Sequence, residues 1–167
     1  QGRGDGGVNR VVANPREFAG YTYGYNHPIF AQRVHDVLSM VRFLREGKVG
    51  GHASPKRVDL AGWGGAGPVA LAARALTGPA VDRCAVETGG FRFGGVADYR
   101  DEGFLPGGAK YLDVPGLMAV NAPNELWVAG EREEGLAGKV YGPNAGLSFF
   151  RGDAGSARSA AVKWLQR

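Results

Sequence analysis

Residues 58–73 read Val-Asp-Leu-Ala-Gly-Trp-Gly-Gly-Ala-Gly-Pro-Val-Ala-Leu-Ala-Ala. A short apolar run enters a cluster of glycines, and an alanine-rich segment leaves it. That is the pattern of a strand, a sharp turn and a helix. Such a turn can do chemistry in three ways. Its backbone N–H groups, at the start of a helix, can receive an anion. It is not a phosphate loop, because no Lys-Ser/Thr follows. Gly62, Gly64 and Gly67 also fit the Gly-x-Gly-x-x-Gly spacing of a dinucleotide site, with Glu87 about 20 residues on as its acid, but a lone match of this kind is weak. The third use is to lift one side chain clear of a sheet, as a nucleophile must be lifted. The residue at that apex is Gly64, which has no side chain. This last reading, an elbow without its reactive atom, is preferred.

The other reactive residues are scattered. His35 and Asp36 lie in a helical pattern whose apolar stripe uses other positions, so local pairing competes with a catalytic role for His35. Asp98, Asp101 and Glu102 could pair or hold a cation, against the plainer expectation of turn capping. Ser54 and Ser148 are candidate replacement nucleophiles outside any activating motif. Arg3-Gly4-Asp5 and Arg151-Gly152-Asp153 match a short adhesion tripeptide, which chance explains in a chain this rich in Gly and Arg. Cys84 is the one cysteine, so no intramolecular disulfide or cysteine-rich metal site can form. It sits in an apolar run, as a buried structural thiol does. No cofactor or metal is expected.

The elements that would position these residues follow from periodicity. Residues 1–20 are rich in glycine and arginine and read as loop. After the aromatic turn Tyr21-Thr22-Tyr23-Gly24-Tyr25-Asn26-His27-Pro28, apolar residues Phe30, Val34, Val37, Leu38, Val41 and Leu44 recur at helical spacing, giving a helix over 28–46 stopped by Gly47. Strands are expected at 57–61, 81–86 and 125–129, with a weaker fourth within 140–150. Helices are expected at 67–76 and 111–120, and a last one is expected to be capped by Ser156. Residues 87–106 form a long aromatic, glycine-rich loop, a kind of segment that often carries function. Strands alternating with helices predict one α/β domain over 1–167, with a mainly parallel sheet of about four strands.

Composition sets the outer bounds. Hydrophobic residues at 44% and charged residues at 22% describe a globular chain rather than a disordered one. The net charge of +4 comes from Lys and Arg spread along the chain without runs, so no nucleic-acid partner is expected. No apolar stretch reaches transmembrane length, and no membrane partner is expected.

Taken together, Tyr23-Gly24-Tyr25-Asn26, Arg33-Val34-His35-Asp36-Val37-Leu38, the Gly62–Gly67 turn, Phe91-Arg92-Phe93, Phe104-Leu105-Pro106-Gly107, Lys110-Tyr111 and Trp164-Leu165 resemble α/β-hydrolases of the acetyl xylan esterase-like kind. The resemblance covers most of the chain and matches only the later half of such a protein. It implies a partial α/β-hydrolase sheet, and a triad in the chain order Ser, Asp or Glu, His. Gly64 then holds the nucleophile's place, vacant, and Glu131 stands where the acid would lie. The histidine is due within 144–153, which contains none; His27, His35 and His52 all precede the elbow. The resemblance therefore implies an esterase-related protein with a degenerate elbow and little or no serine-esterase turnover. The alternatives are a non-catalytic binding or structural module, or a fragment of a larger carbohydrate-ester hydrolase. Retained binding of an ester or carbohydrate ligand is expected. So is pairing of the 57–61 strand edge with a second copy, a separate N-terminal half or residues 1–20. Gly64 is expected at positive φ.

Overall fold

The computed structural model describes residues 23–24, 26–47, 53–143 and 146–167. The expected N-terminal loop, Arg3-Gly4-Asp5, His52 and residues 144–145 lie outside them. The fold is α/β. Four strands, β1 (Asp59–Gly62), β2 (Arg83–Glu87), β3 (Glu125–Ala129) and β4 (Leu147–Phe149), form an all-parallel sheet in the order β1-β2-β3-β4. Among the described residues, five helices flank it: α1 (Ile29–Glu46), α2 (Ala66–Thr77), α3 (Asp113–Val120), α4 (Gly135–Tyr141) and α5 (Ala154–Leu165).

Sequential strand order in a parallel sheet requires each crossover to return on the same face, because the crossovers share one hand. Helices α2, α3 and α4 are those crossovers. Alternate strand residues divide the core accordingly. Cys84, Val86, Leu126 and Val128 pack toward the crossover helices, with Leu71, Val114 and Met118. Ala85, Trp127 and Ala129 point the other way, onto Ala157, Ala161 and Trp164 of α5. The inner strands are therefore apolar at successive positions, as strands covered on both faces must be. Each fully buried Val or Leu here contributes about 1.5–3 kcal/mol. Helix α1 packs beside α2 at the β1 end of the sheet, where Val41 meets Val58 and Val81.

Two expectations need correction, the start of the first strand and the cap of the last helix. The first strand begins at Asp59 rather than Arg57. The Val58 N–H is taken by the Asp82 side chain at 2.8 Å instead of a ladder partner. The fourth strand, expected within 140–150, is β4 at Leu147–Phe149; Val140 and Tyr141 ahead of it end α4, whose Ala137 and Tyr141, four residues apart, both point into the core. Ser156 does not cap the last helix. Asp153 does, its carboxylate accepting the Ser156 N–H at 2.9 Å, while Ser156 lies in the first turn and donates its hydroxyl back at 2.7 Å.

Candidate functional site

In an open parallel sheet, ligands bind beyond the carboxyl ends of the strands. Four loops meet there. The first is the glycine turn after β1. Gly64 takes φ +55°, the left-handed conformation expected of it, and a Cβ built there meets nothing within 4 Å. The Ala66 N–H bonds the Trp63 carbonyl and the Gly67 N–H the Gly64 carbonyl, so the chain enters α2 at once. Gly67 is required for another reason: its Cβ would fall 1.8 Å from the Glu87 carbonyl oxygen, where α2 crosses the end of β2. The turn thus aims an empty apex outward and locks the helix behind it onto the sheet.

The second and third loops, after β2 and β3, are joined by charge. Glu131 follows Gly130 at the end of β3, and its side chain is only 2% exposed. Arg92 grips it from across the site, with Nη1 on Oε1 at 2.9 Å and Nη2 on Oε2. The Thr88 hydroxyl donates to Oε1 as well. Arg92 also donates to the Phe91 carbonyl at 2.7 Å. The hydrogen bonds to Glu131 raise the Arg92 pKa above its already high value. Around this pair opens a cleft of about 750 Å³, floored by Gly89, Gly90 and Gly130 and walled by Pro115, Met118 and Leu136. Arg132 and Glu133 stand at its rim, both exposed.

A second cleft, of about 430 Å³, lies beside the glycine turn. Gly65, Ala66 and Val69 form one wall, and Arg33, Asp36 and Val37 of α1 the other. Arg33 pairs with Glu102 of the long loop at 2.8 Å and so ties that loop over α1. Aromatic edge-to-face contacts, Phe93 with Phe30 and with Phe91 at 5.0 Å each, fix the root of the loop in the core.

The structure separates the remaining candidates. His35 is exposed, and at 100° per residue it lies opposite the face of α1 that carries Arg33, Asp36 and Val37 to the cleft. His27 is exposed before α1. Asp98 and Asp101 accept the N–H groups of Arg100 and Gly103, two residues on, at 2.9 and 2.7 Å, so they hold turns. Glu102 is engaged by Arg33. No group of three or more His, Cys, Asp or Glu side chains is placed to hold a metal among the described residues. Ser148 on β4 accepts the Trp164 indole N–H at 3.0 Å, and Ser54 is exposed ahead of β1. Glu87 ends β2 and, by strand alternation with Val86, faces the α5 side of the sheet. Arg151 follows β4 and reaches Glu134 at 3.6 Å. Burial pushes the Cys84 thiol up to about 12.

Sequence reasoning did not find Arg92 or Thr88. Both lie in the 87–106 loop and Arg92 stands in the Phe91-Arg92-Phe93 motif, but nothing in the sequence ties them to an acid 39 and 43 residues on. Comparison of this chain with protein-family models, with curated proteins and with solved structures finds no match.

Proposed function

We propose that this chain is an α/β-hydrolase-like, esterase-related protein whose nucleophile position is vacant, and that it turns over simple esters little or not at all. The observation that carries the reading is Gly64: at φ +55°, with open space where a side chain would project, it has the backbone of an elbow without the group an elbow presents. Two further features support it. A triad acid must orient a histidine. The Glu131 carboxylate is instead occupied by Arg92 and Thr88. His35 lies on the far side of α1 from the cleft beside the turn.

The test is hydrolysis of a short acetyl ester. The wild-type chain is expected to match buffer, and Gly64→Ser to stay close to it, because a hydroxyl without a base is a poor nucleophile. Clear turnover abolished by Ser148→Ala or His35→Ala would overturn the proposal. The second reading, a non-catalytic module that retains an ester or carbohydrate ligand, is favoured by the 750 Å³ cleft and its mixture of charged rim and apolar wall. A ligand of that class would raise the Tm by an amount that grows with the logarithm of its concentration over its Kd. An acetylated oligosaccharide series that leaves the Tm unmoved at millimolar concentration would remove this second reading.

A further inference from the structure

Arg92 has donors that its partners leave unused. A guanidinium carries five N–H donors in one plane. Both hydrogens of Nη1 are taken, by Glu131 Oε1 at 2.9 Å and by the Phe91 carbonyl at 2.7 Å. Nη2 gives one hydrogen to Glu131 Oε2. The end-on fork is therefore spent on Glu131. The side-on fork, made of Nε–H and the second Nη2 hydrogen, has no partner among the described residues. Arg92 is 39% exposed and lines the 750 Å³ cleft, and its Nε is not among the buried unpartnered side-chain atoms, which are Arg74 Nε and Asn121 Oδ1. The fork is also held in place. Glu131, itself buried, fixes one edge. Phe91 and Phe93, on either side of Arg92 in the chain, pack edge to face. The Asp113 carboxylate accepts the Phe93 and Gly94 N–H groups at 2.9 Å each, which joins this loop to the start of α3, where Pro115 lines the cleft. Leu112 and Asp113 both take left-handed φ there, 67° and 55°, a strain of the kind that collects at binding sites. An arginine held this way loses little freedom when a ligand arrives.

We infer that the cleft binds a small organic monocarboxylate, its two oxygens on the side-on fork of Arg92 and its apolar body against Pro115 and Leu136. The inference uses no residue of the elbow and does not rest on the esterase reading; it differs from the ester-ligand reading of the same cleft in the charge of the ligand. A carboxylate meets an arginine fork with two parallel, charge-assisted hydrogen bonds, where an ester carbonyl brings one neutral acceptor. Arg132 at the rim adds a second cation, and nothing pairs with it among the described residues. A Cβ on Gly89 meets nothing within 4 Å, so the glycine floor leaves room. The acids of the cleft limit the ligand to a single charge. Glu131 is matched by Arg92, Glu134 by Arg151 at 3.6 Å, and Asp113 is taken up by backbone N–H groups. Glu133 stands exposed at the rim. These carboxylates oppose a second negative charge, such as inorganic phosphate carries above neutral pH.

Titration of the isotope-labelled full chain with sodium butyrate at constant ionic strength, followed by two-dimensional N–H NMR, tests this. Butyrate is expected to shift the Arg92 Nε–H signal together with the Gly89, Gly90 and Gly130 amides, and to saturate in the millimolar range. Methyl butyrate has the same body without the charge; it and inorganic phosphate are each expected to bind about tenfold more weakly or worse, the factor carried by one hydrogen bond to a charged group. Arg92→Lys keeps a cation for Glu131 but has no fork, and is expected to lose about tenfold in butyrate affinity with unchanged far-ultraviolet circular dichroism. Arg132→Ala, at an exposed position, is expected to weaken butyrate about two- to fivefold. Absence of a saturable butyrate shift at these signals overturns the inference. So does binding of phosphate as tightly as butyrate, or a folded Arg92→Lys variant that binds butyrate like the wild type. Methyl butyrate binding as well as butyrate overturns it too, while supporting the neutral-ester reading of the cleft. Should Arg92→Lys not fold, the ester comparison and Arg132→Ala decide.

Discussion

Replacing Gly67 by alanine sets two effects of opposite sign against each other. Gly67 is the second residue of α2, and alanine in a helix is favoured over glycine by about 1 kcal/mol. On propensity alone the change stabilises. The new Cβ, however, would lie 1.8 Å from the Glu87 carbonyl oxygen, about 1.6 Å short of ordinary contact, which begins near 3.4 Å. Neither neighbour is a flexible side chain. Helix α2 is held by α1, α3 and the sheet, and lifting it opens the packing around Leu71 and Ala73, both fully buried. Overpacking costs about 1–3 kcal/mol where side chains can give, and more where backbone must move. The net cost is placed at about 3–5 kcal/mol, a large part of a total stability of about 5–15 kcal/mol. Gly64→Ala is the control. It meets nothing within 4 Å and is charged only with the left-handed φ, about 1–2 kcal/mol. Urea unfolding followed by tryptophan fluorescence separates the two. With a slope of about 2 kcal/mol per molar, Gly64→Ala shifts the midpoint by about 0.5–1 M and Gly67→Ala by about 1.5–2.5 M. Equal shifts, or a Gly67→Ala variant more stable than wild type, would refute the helix-on-strand contact described for the turn. The same small cost at position 64 means that Gly64→Ser stays folded, so silence in an ester assay reports chemistry rather than unfolding.

Arg92→Ala leaves the Glu131 carboxylate buried with the Thr88 hydroxyl as its remaining side-chain partner. Breaking a buried pair costs about 3–5 kcal/mol, and because Arg92 is itself 39% exposed about 2–3 kcal/mol is expected; a double-mutant cycle with Glu131→Gln should recover part of the loss. The Asp82 carboxylate accepts the Val58 N–H and then the Arg45 guanidinium, and both hold its pKa below the usual carboxylate value. A depressed folded pKa contributes stability that is complete above the unfolded value near 3.9 and is lost as pH falls through the folded value. Asp82→Asn should therefore lower the Tm above about pH 4 and flatten its decline below that pH, as a Tm series from pH 2 to 7 would show. Cys84, buried and pushed up to about 12, should resist a thiol reagent in the native state and react at the rate of unfolding.

The sheet and most helices could be read from the sequence because each follows from a local cause. Strand β3 was bounded to the residue, since Leu126, Trp127, Val128 and Ala129 form an unbroken apolar run between polar ends. Helix α1 showed its three- and four-residue stripe and its Pro28 entry. Helix α4 escaped because it is seven residues long, with Gly135 at one end and Gly142 beyond the other, and glycines so placed read as loop. The Asp153 cap was missed because Asp153 and Ser156 are both good caps, and only the hydrogen-bond geometry decides which of them stands outside the helix. The site divided along the same line. The turn at Gly64 is local, and its positive φ followed from the elbow pattern it resembles. The Arg92–Glu131 pair is not: no periodicity relates position 92 to position 131, and only the parallel pairing of β2 with β3 brings the loops after them together.

That pair bears on what the site could become. A carboxylate has about four lone-pair positions, and in Glu131 three are occupied, two by Arg92 and one by Thr88. An acid so engaged has little left with which to hold an imidazole, whatever stands after β4. After β4, Arg151 turns toward Glu134 at 3.6 Å. On the esterase-related reading, the loss of catalysis is therefore distributed over the site. The apex is empty, the segment 144–153 holds no histidine, and the carboxylate at the acid position ties two loops together. These three differ in what they cost the fold. The empty apex relieves φ strain and the ion pair fastens the cleft floor, so both stabilise the chain where a working site would store strain. A serine restored at position 64 alone leaves two of the three in place.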